Sequence, residues 1–106
     1  MSVSKQDLEQ IAFEIVAYSG DARSKLLQAV KEAKNKNFEV CRKLIEDAKE
    51  CLASAHKSQT LFITSEAQGD NIEISFLTVH AQDHLMTTIL LKDIIDSLLD
   101  IYIYKL

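Results

Sequence analysis

The chain has 106 residues, with 12 basic and 16 acidic side chains and a net charge of −4. That balance excludes a nucleic acid or an anionic membrane surface as the main partner, since both reward clustered Lys and Arg. Hydrophobic residues make up 47% and charged ones 26%, as in an ordinary globular domain.

The length predicts a single domain over residues 1–106. No stretch is apolar enough to span a bilayer, and Met1 to Gln10 lacks the basic-then-apolar layout of a secretory signal. A cytoplasmic protein is expected. There are no prolines and two glycines, Gly20 and Gly69. A chain so poor in turn punctuation should be mostly long helices. Helices of roughly 30 residues would each extend about 45 Å. The resulting thin protomer has little core of its own and is expected to self-associate.

The first helix is expected over about residues 4–34, opened by Ser4 and Asp7 as a capping pair. Leu8, Ile11, Ile15, Ala22, Leu26, Ala29 and Ala33 recur at helical spacing. Gly20 interrupts this pattern at a cost of about 1 kcal/mol against alanine, and the sequence leaves two reasons for it, a close helix approach or a slight bend. Asn35-Lys36-Asn37 is the turn, with asparagine expected to take the left-handed conformation.

The second helix is expected over about 37–66. Phe38, Cys41, Ile45, Ala48, Leu52, Ala55, Gln59 and Phe62 step alternately by three and four, a heptad seam with one polar member, Gln59. Cys41 and Cys51 would sit about 15 Å apart on this helix, too far for a disulfide. Both are read as small apolar groups in a reducing compartment. Ala67 to Ser75 is a loop, and Ser75 is the expected N-cap of the third helix, over about 76–104.

On that third helix Lys92, Asp93, Asp96 and Asp100 form one narrow polar stripe at about 100° per residue. Nearly everything else from Leu85 onward is apolar. One face should pack within the protomer while another meets further copies. Followed back from Ile101, the seam of that second face runs through Ser97, Ile94, Leu90 and Thr87 to Asp83. A carboxylate there is costly unless protonated, hydrogen-bonded or metal-bound. Copies of Asp83 meeting on a rotation axis would repel, and a divalent cation between them would convert repulsion into coordination.

His80 lies one turn before Asp83, displaced to the side of that face. An imidazole neutral near pH 7, close to helix N-terminal amides, can act as a nucleophile toward phosphorus. By periodicity alone an ordinary helix histidine remains the simpler reading, for His56 and His84 as well. Two other readings fit the same residues. His80-x-x-Asp83-His84 resembles an inverted zinc-protease motif with the wrong acid. Heptads alone also fit a non-catalytic trimeric scaffold or a regulatory relative.

Three stretches carry a resemblance: Phe13 to Ser24 (FEIVAYSGDARS), Ala55 to Thr60 (AHKSQT) and Val79 to Asp93 (VHAQDHLMTTILLKD). They resemble the enzyme IIA component of the lactose/cellobiose (chitobiose) family of the bacterial phosphoenolpyruvate-dependent sugar phosphotransferase system. The resemblance implies an all-α, antiparallel three-helix protomer and a homotrimer whose third helices form a parallel coiled coil. His80 would be the phosphorylated histidine, a tele-phosphohistidine. It would accept its phosphoryl group from the histidine-containing phosphocarrier protein and pass it to the enzyme IIB component, for uptake of a disaccharide of the lactose, cellobiose or chitobiose class. Asp83 would match a buried aspartate gathered at the trimer axis with one structural Mg2+. Gln82, His84, His56 and Gln59 are possible supporting residues. Ser75 and Thr78 are expected oxygen donors to the phosphoryl group, and Phe76, Val79 and Leu85 are expected around His80 as an apolar docking surface.

Overall fold

The computed structural model describes residues 4–104, so Met1–Val3 and Lys105–Leu106 of the expected 1–106 domain lie outside the described residues. Three helices account for nearly all of it: α1 (Lys5–Lys34), α2 (Phe38–Ala67) and α3 (Phe76–Tyr104). The described residues include no strand. The short Ile72-Glu73-Ile74 alternation belongs to the loop before α3.

Each boundary has a local cause. Ser4 caps α1: its hydroxyl accepts from the Asp7 amide at 3.1 Å while its own amide donates to the Asp7 carboxylate at 3.4 Å. α1 ends with the Asn37 amide donating back to the Glu32 carbonyl at 2.8 Å, a wrap that requires a left-handed residue. That residue is Lys36, at φ 64°, rather than either asparagine. Asn37 instead uses its side-chain amide on the Glu32 carboxylate, at 2.8 Å. The same wrap closes α2, where the Asp70 amide donates to the Ser65 carbonyl at 3.1 Å, and here Gly69 supplies the left-handed position at φ 94°.

The helices run up, down and up. Glu14 pairs with Ser58 and Asp21 with Cys51, one number falling as the other rises, so α1 and α2 are antiparallel. α1 packs along both other helices, whereas α2 and α3 touch at few points. The faces α1 uses are lined with small side chains (Ala12, Ser19, Ala22, Ala29 and Ala33), with Leu8, Ile15 and Leu26 as the bulky members. The α2 seam from Cys41 to Gln59 is buried as its heptad spacing requires. α3 contributes Ala81, Leu85, Thr88, Ile95 and Leu99. Gly20 serves no close approach, since a Cβ there would meet nothing within 4 Å.

The body measures 53 × 20 × 19 Å with a radius of gyration of 16.3 Å, against about 13 Å for a compact chain of this length. An object two helices thick cannot bury all the apolar surface of α3. Leu90, Ile94, Leu98 and Ile101 are 48–59% exposed. With Asp83, Thr87 and Ser97, also exposed, they form a continuous stripe on the side of α3 facing away from the core.

Candidate functional site

The candidate site occupies the first turns of α3. The Thr78 amide donates to the Ser75 hydroxyl at 3.2 Å and the Ser75 amide to the Thr78 hydroxyl at 2.9 Å. This reciprocal cap fixes where α3 begins. It also commits both hydroxyls to the helix terminus: Thr78 Oγ1 donates to the Ser75 carbonyl at 2.8 Å. They therefore build the platform on which His80 stands, rather than being the free oxygen donors expected of them.

His80 is exposed, in the second turn. Its ring stacks nearly parallel to Phe76 one turn below, with centroids 6.4 Å apart and an interplanar angle of 11°. His84, one turn above, meets it edge-on at 4.6 Å and 79°. Aromatic neighbours at i−4 and i+4 restrict the swing of the imidazole while leaving its outer edge open. Phe76 is itself 88% exposed, an uncommon position for a phenylalanine on a monomeric surface. Val79 is 48% exposed, but Leu85 is fully buried and belongs to the core, not to a docking surface.

His84 is half-buried, and its Nδ1 is shut away from solvent with no hydrogen-bond partner among the described residues. Burial pushes its pKa below the usual histidine range, helped by His80 and by Arg23 of α1, with Asp83 opposing. A neutral ring therefore stands beside His80, so no second cation crowds the imidazole.

Asp83 projects on the exposed stripe of α3, away from the core, and Thr87 Oγ1 donates to its carbonyl at 2.6 Å. Among the described residues no three His, Cys, Asp or Glu side chains of one protomer converge on a metal position. The pair His80 and His84 thus lacks the third ligand that a zinc-protease reading needs. On the exposed stripe itself the protomer presents one carboxylate at this level, that of Asp83.

Gln59, 6% exposed on α2, donates through Nε2 to Gln82 Oε1 at 2.9 Å. It is one of the few direct ties between α2 and α3, and it joins α3 between His80 and Asp83. His56 stays exposed on α2, and among the described residues its ring takes no part in the His80 cluster. Beside the Gln59–Gln82 tie, an open cleft of about 310 Å3 separates α2 from α3, lined by Phe62, Ile63, Ile74, Val79 and Asp83 among others. His80 stands outside it, on open surface. That placement suits a reaction with another protein's side chain better than with an enclosed small molecule.

Sequence reasoning did not find the part Arg23 plays. It lies within the FEIVAYSGDARS stretch, but its effect on His84 depends on α1 and α3 running side by side.

Comparison with known proteins bears on what such a site does. The family described as "PTS system, Lactose/Cellobiose specific IIA subunit" matches residues 10–103. The lactose-specific EIIA component of Staphylococcus epidermidis is 48% identical over 100 residues, covering 94% of this chain and 96% of that one. That of Lactococcus lactis subsp. lactis is also 48% identical, covering 94% and 95%. A solved structure described as the PTS cellobiose-specific enzyme IIA from Bacillus anthracis superposes with a TM-score of 0.86 at 38% identity, covering 94% of this chain and 90% of that one. A structure of PtcA from S. mutans gives 0.91 at 36% identity, covering 94% and 98%.

Proposed function

The chain belongs to the lactose/cellobiose-specific IIA family of the phosphotransferase system, and from that premise we propose that His80 is its phosphoryl carrier. The supporting observation is the exposed imidazole itself, held between Phe76 and His84 at the capped start of α3.

The incoming group arrives on a histidine of the phosphocarrier protein. His80 Nε2 attacks phosphorus in line, the new P–N bond forms as the donor's P–N bond breaks, and the donor imidazole departs. The tele-phosphohistidine then faces the enzyme IIB component, which takes the group by the same in-line step. Little covalent chemistry is left for the protein, so its work is positioning. Phe76 and His84 limit the ring's rotation, and the uncharged His84 leaves the nucleophile's lone pair uncontested. Two partners visit one histidine in turn, which calls for a weak, exchangeable contact. The exposed Phe76 and Val79 supply its apolar part. The exchange takes place in the cytoplasm, on behalf of a membrane permease that imports a disaccharide of the lactose, cellobiose or chitobiose class. Chemistry on the sugar belongs to the membrane component rather than to this chain.

The exposed stripe of α3 supports a homotrimer in which three copies of α3 form a parallel coiled coil. Leu90, Ile94 and Ile101 are then covered by their counterparts. Three Asp83 carboxylates would meet near the axis, where Mg2+ fits by charge and donor type and would neutralise their repulsion. Its role is structural. The Gln59–Gln82 tie holds α3 in register between these two features.

The test is incubation with phosphorylated carrier protein. The wild-type chain should gain an acid-labile phosphate and lose it to the IIB component, while His80→Ala gains none. A wild-type protein that stays unlabelled is a scaffold or regulatory relative, and the carrier reading is then wrong.

A further inference from the structure

Cys51 does not share the inert setting of Cys41, which is 1% exposed in the core. Cys51 is half-buried at the seam between α1 and α2 and free of any disulfide. Its Sγ lies 3.2 Å from Asp21 Oδ2 and 3.7 Å from Lys25 Nζ, and the same Asp21 oxygen accepts from Lys25 at 2.9 Å. A thiol, an amine and a carboxylate thus share one point, two of them from α1 and one from α2. The lysine side chain is 30% exposed and the aspartate 55%, so small oxidants reach the cluster from solvent.

Asp21 governs the protons of this cluster. Its hydrogen bond from Lys25, and then that from Cys51, hold the carboxyl below its usual pKa, so it stays ionised. Burial and the Asp21 hydrogen bond push the thiol up, so Cys51 remains a protonated donor. A simple thiolate nucleophile is therefore not what this site offers. It offers two protonated groups sharing one acceptor, with their sulfur and nitrogen separated by little more than one bridging atom.

We propose that Lys25 and Cys51 are an oxidation site at which dioxygen joins them through a single oxygen atom, as Nζ–O–Sγ. The S–H bond and two N–H bonds of the ammonium are lost, and S–O and O–N bonds form. The second oxygen atom leaves as water with two of the hydrogens, and the third hydrogen leaves as a proton through Asp21. Dioxygen takes four electrons, two from sulfur and two from nitrogen, so the step balances. The bridge staples α1 to α2 and leaves α3 and His80 untouched. It is independent of the carrier reading, and reducing thiols reverse it.

The experiment is mass spectrometry of the full-length protein held in dioxygen-saturated buffer, against a sample kept under argon with dithiothreitol. The oxidised wild type should gain one oxygen and lose two hydrogens. Proteolysis should then yield a linked peptide pair carrying Lys25 and Cys51, which dithiothreitol separates. Lys25→Arg keeps the ion pair with Asp21 but has no primary amine, and should give no such species. Cys41→Ser should leave the yield unchanged. An unmodified wild type overturns the proposal. So does equal oxidation of Lys25→Arg, which would mean oxidation at sulfur alone, or a disulfide between two copies as the main product.

Discussion

α2 and α3 carry the same kind of signal and meet different fates. Both have apolar residues at heptad spacing, and both pack against α1. The α2 seam is spent within the protomer, where Cys41, Ile45, Ala48, Leu52 and Ala55 are all buried. The α3 seam, from Asp83 through Leu90 and Ile94 to Ile101, lies open, and α1 is met by a second face through Ala81, Leu85 and Ile95. A period states that a face needs a cover. It does not say whether the cover comes from the same chain. Here one face stabilises the protomer and the other stays open to solvent.

The sharpest way to break this comparison is one truncation made on each seam. Leu52→Ala removes a leucine that is 6% exposed and should cost about 2–5 kcal/mol in urea unfolding. Leu90→Ala, at 59% exposure, should change the dilute protomer by no more than about 0.5 kcal/mol while weakening self-association measured by sedimentation. Equal costs at both positions would mean that α3 is covered within the protomer.

Asp83→Leu examines the polar member of the open seam. In the proposed trimer, replacing three like charges by apolar packing should leave the assembly intact, or firmer, without metal. Dissociation at concentrations where the parent stays trimeric would count against a cluster of carboxylates relieved by a cation.

A smaller effect concerns pH. His84 has its folded pKa depressed, so folding favours the neutral ring. That stability is fully present above the unfolded histidine pKa of about 6.5 and is lost as pH falls through the depressed folded value. The groups facing it are His80 and Asp83 on α3 and Arg23 on α1. The thermal midpoint should therefore fall on acidification from about pH 7 toward 5. His84→Gln should flatten that fall. An unchanged slope would place the proton uptake elsewhere.

The last effects concern backbone conformation, at Gly20 within α1 and at the left-handed residues that close α1 and α2. Gly20→Ala should stabilise by about 1 kcal/mol, since the added methyl meets open space. Lys36→Gly relieves a left-handed lysine and should stabilise by no more than about 1 kcal/mol, because glycine also loosens the unfolded chain. Gly69→Ala should do the reverse. A thermal midpoint lowered by Gly20→Ala would show that this glycine meets a neighbour from outside the protomer.

Much was legible along the chain because it depends on neighbours a few residues away. The caps at Ser4 and Ser75 follow from side chains three positions from their partner amides. The α2 seam follows from helical repeat alone. The left-handed residue before α2 is Lys36 rather than an asparagine, since the wrap onto Glu32 selects a position by hydrogen-bond geometry rather than by residue preference. Cys51, expected as a small buried apolar group, is half-buried and meets Asp21 and Lys25, which lie far from it along the chain.

The sequence by itself determined three helices, their ends and the turn of α3 that carries His80, since all of these rest on local spacing and capping. Only the tertiary structure decided which faces α1 covers. It alone brought Asp21 and Lys25 to Cys51 across 26 or more residues, and let the charge of Arg23 on α1 bear on His84 of α3. The reason is register. The relative height of two packed helices is fixed by how their side chains interlock along the whole contact, and no short window of sequence contains that information.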